Sequence, residues 1–285
     1  MALPRPAYDL LNPDATGPVI LSVPHAARDY KPEMLALMRP PAERLVALED
    51  RLVDEIARGV ERAPVLIGRV PRAWIDLNRH EAELDPGLVE GIPPSRLMLT
   101  PKVRSGLGLI PRRLAGVGDI WRRRLTRADV EARIAGVHRP YHAAIGSLVA
   151  RALAAHGVAV LLDLHSMPPL PQAPDAPRAD IVIGDRFGQS AARWAICRLD
   201  ATCRAHGLRA QANVPYAGGH IIERHARPTA GVHAVQLEID RDLYLQPGHG
   251  HARADGLAAM RTLVQAAVDA LGRAALDSAL PLAAE

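Results

Sequence analysis

Apolar positions along the chain fall into two rhythms. Short β-branched and aliphatic runs occur at Val19 to Val23, Pro64 to Arg69, Ala73 to Leu77, Val158 to Leu164, Asp180 to Gly184 and Val232 to Ile239, with the length and composition of buried strands. Elsewhere apolar residues recur every three or four positions. Leu45, Leu48, Leu52, Val53 and Ile56 do so within Ala42 to Val60, which predicts a helix with one apolar face. Ala128 to His156, Gln189 to His206 and Ala252 to Leu271 read likewise as helices. Strands alternating with helices specify an α/β domain of three layers, a mostly parallel or mixed central sheet with helices on both faces. Pro- and Gly-rich stretches interrupt the pattern at Leu84 to Pro111, Pro168 to Pro177 and Gln246 to Gly250. Loops of such length serve more often as binding loops than as linkers, so residues 1–285 read as one domain with its loops gathered at the carboxyl ends of the strands.

Composition narrows the function classes. The 285 residues are 48% hydrophobic and 23% charged, which suits a globular chain, but only 3% are aromatic, too few for a base-stacking surface. A net charge of +4 arises from basic and acidic residues spread along the whole sequence. Arg122, Arg123 and Arg124 read as a solvated helix face rather than a phosphate track, so no nucleic-acid partner is expected. Cys197 and Cys203 form neither a metal knuckle nor a disulfide framework, in keeping with a reducing compartment. The N-terminal segment lacks a signal-like apolar core, and the run Val158 to Leu162 stops at Asp163, so neither export nor a membrane partner is expected and the reading is cytoplasmic. Assembly with identical chains is left open.

Candidate chemistry gathers where strands end. His25 closes the run from Val19 and His165 closes the run from Val160, so both imidazoles sit where a buried strand meets a loop. Two histidines and one carboxylate are a set that holds zinc and leaves a fourth position for hydrolysis, although two unrelated hydrogen-bonded histidines would give the same fragments. For the acid, Asp29, Glu49 and Asp50 compete, and acids on a helix ordinarily face solvent. Glu238 lies near the end of an apolar strand, where a carboxylate needs a metal, a base or water beside it, and it suits general-base work unless that position faces outward. The segment Trp74 to Arg79 reads as a strand ending in Asn78 and Arg79, which can hold an anionic group, with Arg72 upstream; a structural Asp76–Arg79 pair is the alternative. His138 and His142 share a helix face but straddle Pro140 and have no acid beside them, so a metal there is not expected.

In order along the chain, Ser22-Val-Pro-His25, Glu49-Asp50-Arg-Leu-Val-Asp54, Ile75-Asp-Leu-Asn-Arg79, Pro140-Tyr-His142, Asp163-Leu-His-Ser166, Gly218-Gly219, Arg227-Pro228 and Gly231-Val-His-Ala-Val-Gln-Leu-Glu238 resemble the N-formylglutamate amidohydrolase (deformylase) family over roughly residues 18 to 245. The family is distantly similar to zinc carboxypeptidases and aspartoacylases. The resemblance implies one zinc ion held by His25, Asp50 and His165, Glu238 as base, Asn78 and Arg79 as a carboxylate clamp, and Arg72 polarising the scissile carbonyl. It further implies a small anionic amide as substrate, N-formyl-L-glutamate before others, and such a reaction fits histidine degradation. Departures at Ala26-Ala27, Glu49, His220 and Glu223 leave the implied metal set intact and touch side-chain specificity. A carboxypeptidase- or aspartoacylase-like hydrolase of another amide, and a catalytically silent metal- or ligand-binding homologue, are the rival readings.

Overall fold

The computed structural model describes residues 6–172, 177–248 and 250–279. The predicted loops at Pro168 to Pro177 and Gln246 to Gly250 therefore lie partly outside the described residues. Architecture follows the α/β expectation: a mixed seven-stranded sheet combined with helices. By its internal contacts the chain forms two compact units, each assembled from three stretches of sequence.

The first unit comprises Met1–Asp9, Pro24–Arg51 and Gly68–Ala143. It is rich in turns, with the short helices α1 (Pro32–Leu35), α3 (Pro101–Arg104) and α4 (Arg127–Arg133) and a small antiparallel ribbon of β4 (Arg113–Leu114) and β5 (Gly118–Asp119). Thr126 caps α4 by accepting from the Asp129 amide while the Asp129 carboxylate accepts from the Thr126 amide, so two otherwise orphaned donors are satisfied. A π-turn, Ile134–His138, joins α4 to α5 (Arg139–His156), which continues into the second unit.

The second unit comprises Leu10–Val23, Leu52–Ile67 and Ala144–Glu285 and holds most of the sheet. Its strands are β1 (Tyr8–Leu11, entering from the first unit), β2 (Val19–Val23), β3 (Val65–Gly68), β6 (Ala159–Met167), β7 (Ile181–Gly184), β8 (Ala210–Ala212) and β9 (Val232–Asp240), in the spatial order β1-β3-β2-β6-β9-β7-β8. β2 pairs in parallel with β3 and β6, and β6 with β9, whereas β7 runs antiparallel to β9. Every residue of β2, β3, β6, β7 and β9 is buried, as strands covered on both faces must be. The long helix α8 (Ala254–Ala279) contacts α2 (Val53–Ala57) and α6 (Arg193–Ala205), and all three contact the sheet; α7 (His220–His225) packs on β6 and β9.

Four expectations need correction. Ala73 to Leu77 is a series of turns, because the Trp74 amide closes on the Pro71 carbonyl and the Asp76 amide bonds Leu109 rather than a strand partner. Ala42 to Val60 is not one helix but two 3₁₀ turns followed by α2: Glu49 is extended at ψ 141° and Leu52 is left-handed at φ 63°, either of which ends helical hydrogen bonding. Arg122 to Arg124 lie in a non-helical loop, where Arg123 pairs with Asp129 and Arg124 donates to the Pro86 and Val89 carbonyls. The C-terminal helix runs beyond Leu271 to Ala279.

Candidate active site

The break in the predicted helix has a chemical outcome in the first unit. With Glu49 extended, the Asp50 amide bonds the His25 carbonyl at 2.9 Å, and this lays the two residues side by side. Asp50 Oδ2 then lies 3.4 Å from His25 Nδ1, both side chains being buried. The competing acids are placed otherwise. Glu49 is tied to Arg51 at 2.8 Å, and burial, opposed by that guanidinium, pushes its carboxyl up; Asp29 is exposed.

His25 is held from its other side by Asp76. His25 Nε2 donates to Asp76 Oδ1 at 2.7 Å; the same oxygen accepts from the Asn78 amide at 2.8 Å, and Oδ2 accepts from Arg72 Nε at 2.8 Å. Burial pushes the Asp76 carboxyl up, but the Arg72 guanidinium, followed by His25 and Arg79, holds it well below the usual carboxylate range. An ionised carboxylate can only accept, so the Nε2 proton belongs to His25 and in the neutral ring the lone pair sits on Nδ1, the atom beside Asp50. Asp76 is the residue that sequence reasoning passed over, having weighed it only as a partner of Arg79.

Arg72, Asn78 and Arg79 accompany Asp76 in the same turn-rich segment. Arg79 is largely spent on local structure: Nε donates to Leu107 O at 3.1 Å and a terminal nitrogen to Asn78 O at 2.8 Å, while Asp76 Oδ2 is 3.9 Å away. The Asp76–Arg79 pair weighed as an alternative is present as a long contact at 3.9 Å, and Arg72 makes the shorter one at 2.8 Å. His138 and His142 stack at 4.3 Å between ring centroids and offer their Nε2 atoms to the carbonyls of Arg79 and Leu77, bracing the segment from behind.

In the second unit the candidate residues lie on β6 and β9. Alternate residues of a strand share a face, so Asp163 goes with His165 and Gln236 with Glu238. The parallel register sets Asp163 opposite Gln236 and His165 opposite Glu238, on strands about 4.8 Å apart. His165 therefore lies inside the strand rather than past its end, and Glu238 is likewise internal. His165 Nε2 donates to Asp163 Oδ2 at 2.8 Å, and Ser22 on β2 donates its hydroxyl to the other oxygen at 2.8 Å. This repeats the His25–Asp76 arrangement. Gln236 Nε2 donates to Glu238 Oε1 at 2.7 Å, and Gln236 Oε1 accepts from the Gly219 amide at 3.0 Å. That loop can come so close because Gly184 has no side chain: a Cβ there would stand 2.7 Å from the Ala217 carbonyl carbon.

Each of His25, Asp50 and His165 is buried and offers an atom that could ligate a metal. Chemically, His25 and His165 are imidazoles each anchored by a carboxylate, Asp50 is a carboxylate beside His25, and Glu238 is a carboxylate held by an amide. Such carboxylate–histidine dyads are the usual support of metal-ligating histidines.

Comparisons with known proteins point one way. A family model described as N-formylglutamate amidohydrolase matches residues 17–245. An N-formylglutamate deformylase of Pseudomonas aeruginosa is 28% identical over 264 residues, covering 89% of this chain and 92% of that protein. Another of Pseudomonas putida is 27% identical over 235 residues, covering 80% and 82%. The crystal structure of N-formylglutamate amidohydrolase from Ralstonia eutropha JMP134 superposes with a TM-score of 0.85 at 31% identity, covering 95% of this chain and 98% of that one.

Proposed function

Because the chain belongs to the N-formylglutamate amidohydrolase family, we propose that it hydrolyses the amide of an N-acylated acidic amino acid, N-formyl-L-glutamate foremost, to formate and L-glutamate. The observation that carries the reading is the pair of buried histidines, His25 and His165, each with Nε2 bound to a buried aspartate. The names of the relatives supply the reaction.

In this reading His25, Asp50 and His165 would hold one zinc ion. The donor types fit, since neutral imidazole and carboxylate are ordinary zinc ligands and the aspartate behind each ring fixes its tautomer. When bound, zinc supplies Lewis-acid polarisation of the amide carbonyl and acidifies water. Glu238, steadied at Oε1 by Gln236, takes the proton from the attacking water at Oε2 and passes it to the leaving amine, so the amide C–N bond breaks as a new C–O bond forms. Arg72, whose Nε is fixed by Asp76, turns its terminal nitrogens toward the carbonyl oxygen as negative charge grows there, a contribution worth about 3 kcal/mol for one such donor. Asn78 and Arg79 hold the substrate carboxylate. With Nε and one terminal nitrogen engaged by carbonyls, Arg79 is rigid in this role.

Release of the free amino acid measured across N-formyl and N-acetyl derivatives of glutamate, aspartate, glutamine and leucine tests the assignment. Preference for N-formyl-L-glutamate of at least tenfold over the neutral N-formyl amino acids is expected. Equal turnover of all, or turnover of the acetyl compounds alone, contradicts it.

A further inference from the structure

The first unit contains a cavity of about 330 Å³, at the small end of the range for organic ligands. Met34, Leu37, Trp74 and Val137 supply apolar wall, and Arg133 is also part of it. None of these residues belongs to the proposed metal or substrate machinery. Arg133 is only 4% exposed, an unusual place for a guanidinium. Its central carbon lies 3.6 Å from the Trp74 ring centroid and 4.5 Å from that of Trp121, and one terminal nitrogen donates to the Trp74 carbonyl at 3.0 Å. Among the described residues no carboxylate forms an ion pair with it. Asp129, which also lines the cavity, is committed to Arg123 at 2.9 Å and to the Thr126 amide at 2.9 Å.

A buried guanidinium without a direct ion pair is unfavourable, and burial pushes Arg133 down to about 9 against the opposing charge of Asp129. The Trp74 indole packs against the guanidinium, with the Trp121 ring beside it. The remaining donors of the guanidinium lie along the edge, and the edge is what receives a carboxylate with two parallel hydrogen bonds. We propose that this cavity binds a small organic acid with an apolar body, its carboxylate paired with Arg133 and its body against Trp74, Met34, Leu37 and Val137.

Phenylacetate is a suitable probe, with phenylacetamide as its uncharged counterpart, titrated into the full chain and followed by calorimetry and tryptophan fluorescence. Saturable binding of phenylacetate at one site, at least tenfold tighter than phenylacetamide, is expected. Arg133→Met should erase the preference for the acid. Since that variant also removes a buried group, Gly136→Leu provides an independent check: Gly136 lines the cavity, and a Cβ there meets no heavy atom within 4 Å. Gly136→Leu should weaken phenylacetate at least tenfold while melting temperature and N-formyl-L-glutamate turnover stay at wild-type values. Absence of saturable binding, equal binding of acid and amide, or phenylacetate binding unchanged in Gly136→Leu would each overturn the proposal. A turnover failure in the wild type would count against the proposed reaction and leave the cavity result standing.

Discussion

In the proposed reaction the two aspartates behind the histidines support the rings and do not meet substrate. Asp163 accepts from both His165 and Ser22, so replacing it with Asn leaves the volume unchanged and puts an amide where a full acceptor is needed. Asp163→Asn should weaken zinc about 10- to 100-fold in chelator competition, the usual effect of losing such a support. Unchanged metal affinity would mean that His165 is no ligand. Glu238→Gln should separate binding from chemistry. Zinc content should remain near that of the wild type, while kcat falls by about 10²- to 10⁴-fold because an amide cannot take the water proton. Loss of zinc from this variant would make Glu238 a ligand and move the base elsewhere. Of the two aspartates, only Asp163 had a signal in the sequence. Asp163 stands two residues before His165 in an apolar strand, so period-two alternation puts them on one face, and a buried carboxylate there demands a partner. Asp76 had no such signal, since it meets His25 across 51 residues of chain, a contact that no short-range periodicity records.

Elements with strong periodicity were legible and those shaped by the site were not. Val19 to Val23, the core of Val158 to Leu164, and Val232 to Ile239 emerged as β2, β6 and β9 because burial on both faces forces continuous apolar runs. Ala42 to Val60 misled because its apolar spacing serves burial of Leu45, Leu48, Val53 and Ile56 without a continuous helix; the interruption at Glu49 to Leu52 delivers Asp50 beside His25. At α4 the local rules are kept, and they can be measured. Thr126→Ala removes one half of a capping box and should cost about 0.5–2 kcal/mol of stability in denaturant titration. Asp129 is held down to about 2 by its hydrogen bond with Arg123 and, against burial, by the Thr126 contacts. Its carboxylate therefore contributes stability above the unfolded value of about 3.9, and that contribution is lost as pH falls through about 2. Asp129→Asn should flatten the acid limb of the stability curve in that window; an identical acid limb in the variant would contradict the pairing.

At the scale of the whole molecule, a sheet whose central strands carry Ser22, Asp163, His165, Gln236 and Glu238 among wholly buried positions trades apolar packing for chemistry. No helix among the described residues is long and apolar enough to cross a membrane. Metal bound by the native arrangement and not by the unfolded chain adds stability by mass action, about 2.7 kcal/mol at a hundredfold excess over Kd, so chelation should lower Tm by several degrees. In the proposed reaction hydrolysis depends on a metal held by His25, Asp50 and His165. This dependence is tested most directly by measuring formate release from N-formyl-L-glutamate after exhaustive chelation and again after adding one equivalent of zinc, in the wild type and in His165→Ala. Turnover of the wild type should fall by at least 99% on chelation and recover with zinc, with no recovery in a folded His165→Ala variant. Full turnover by the metal-free wild type, or by His165→Ala, would contradict it.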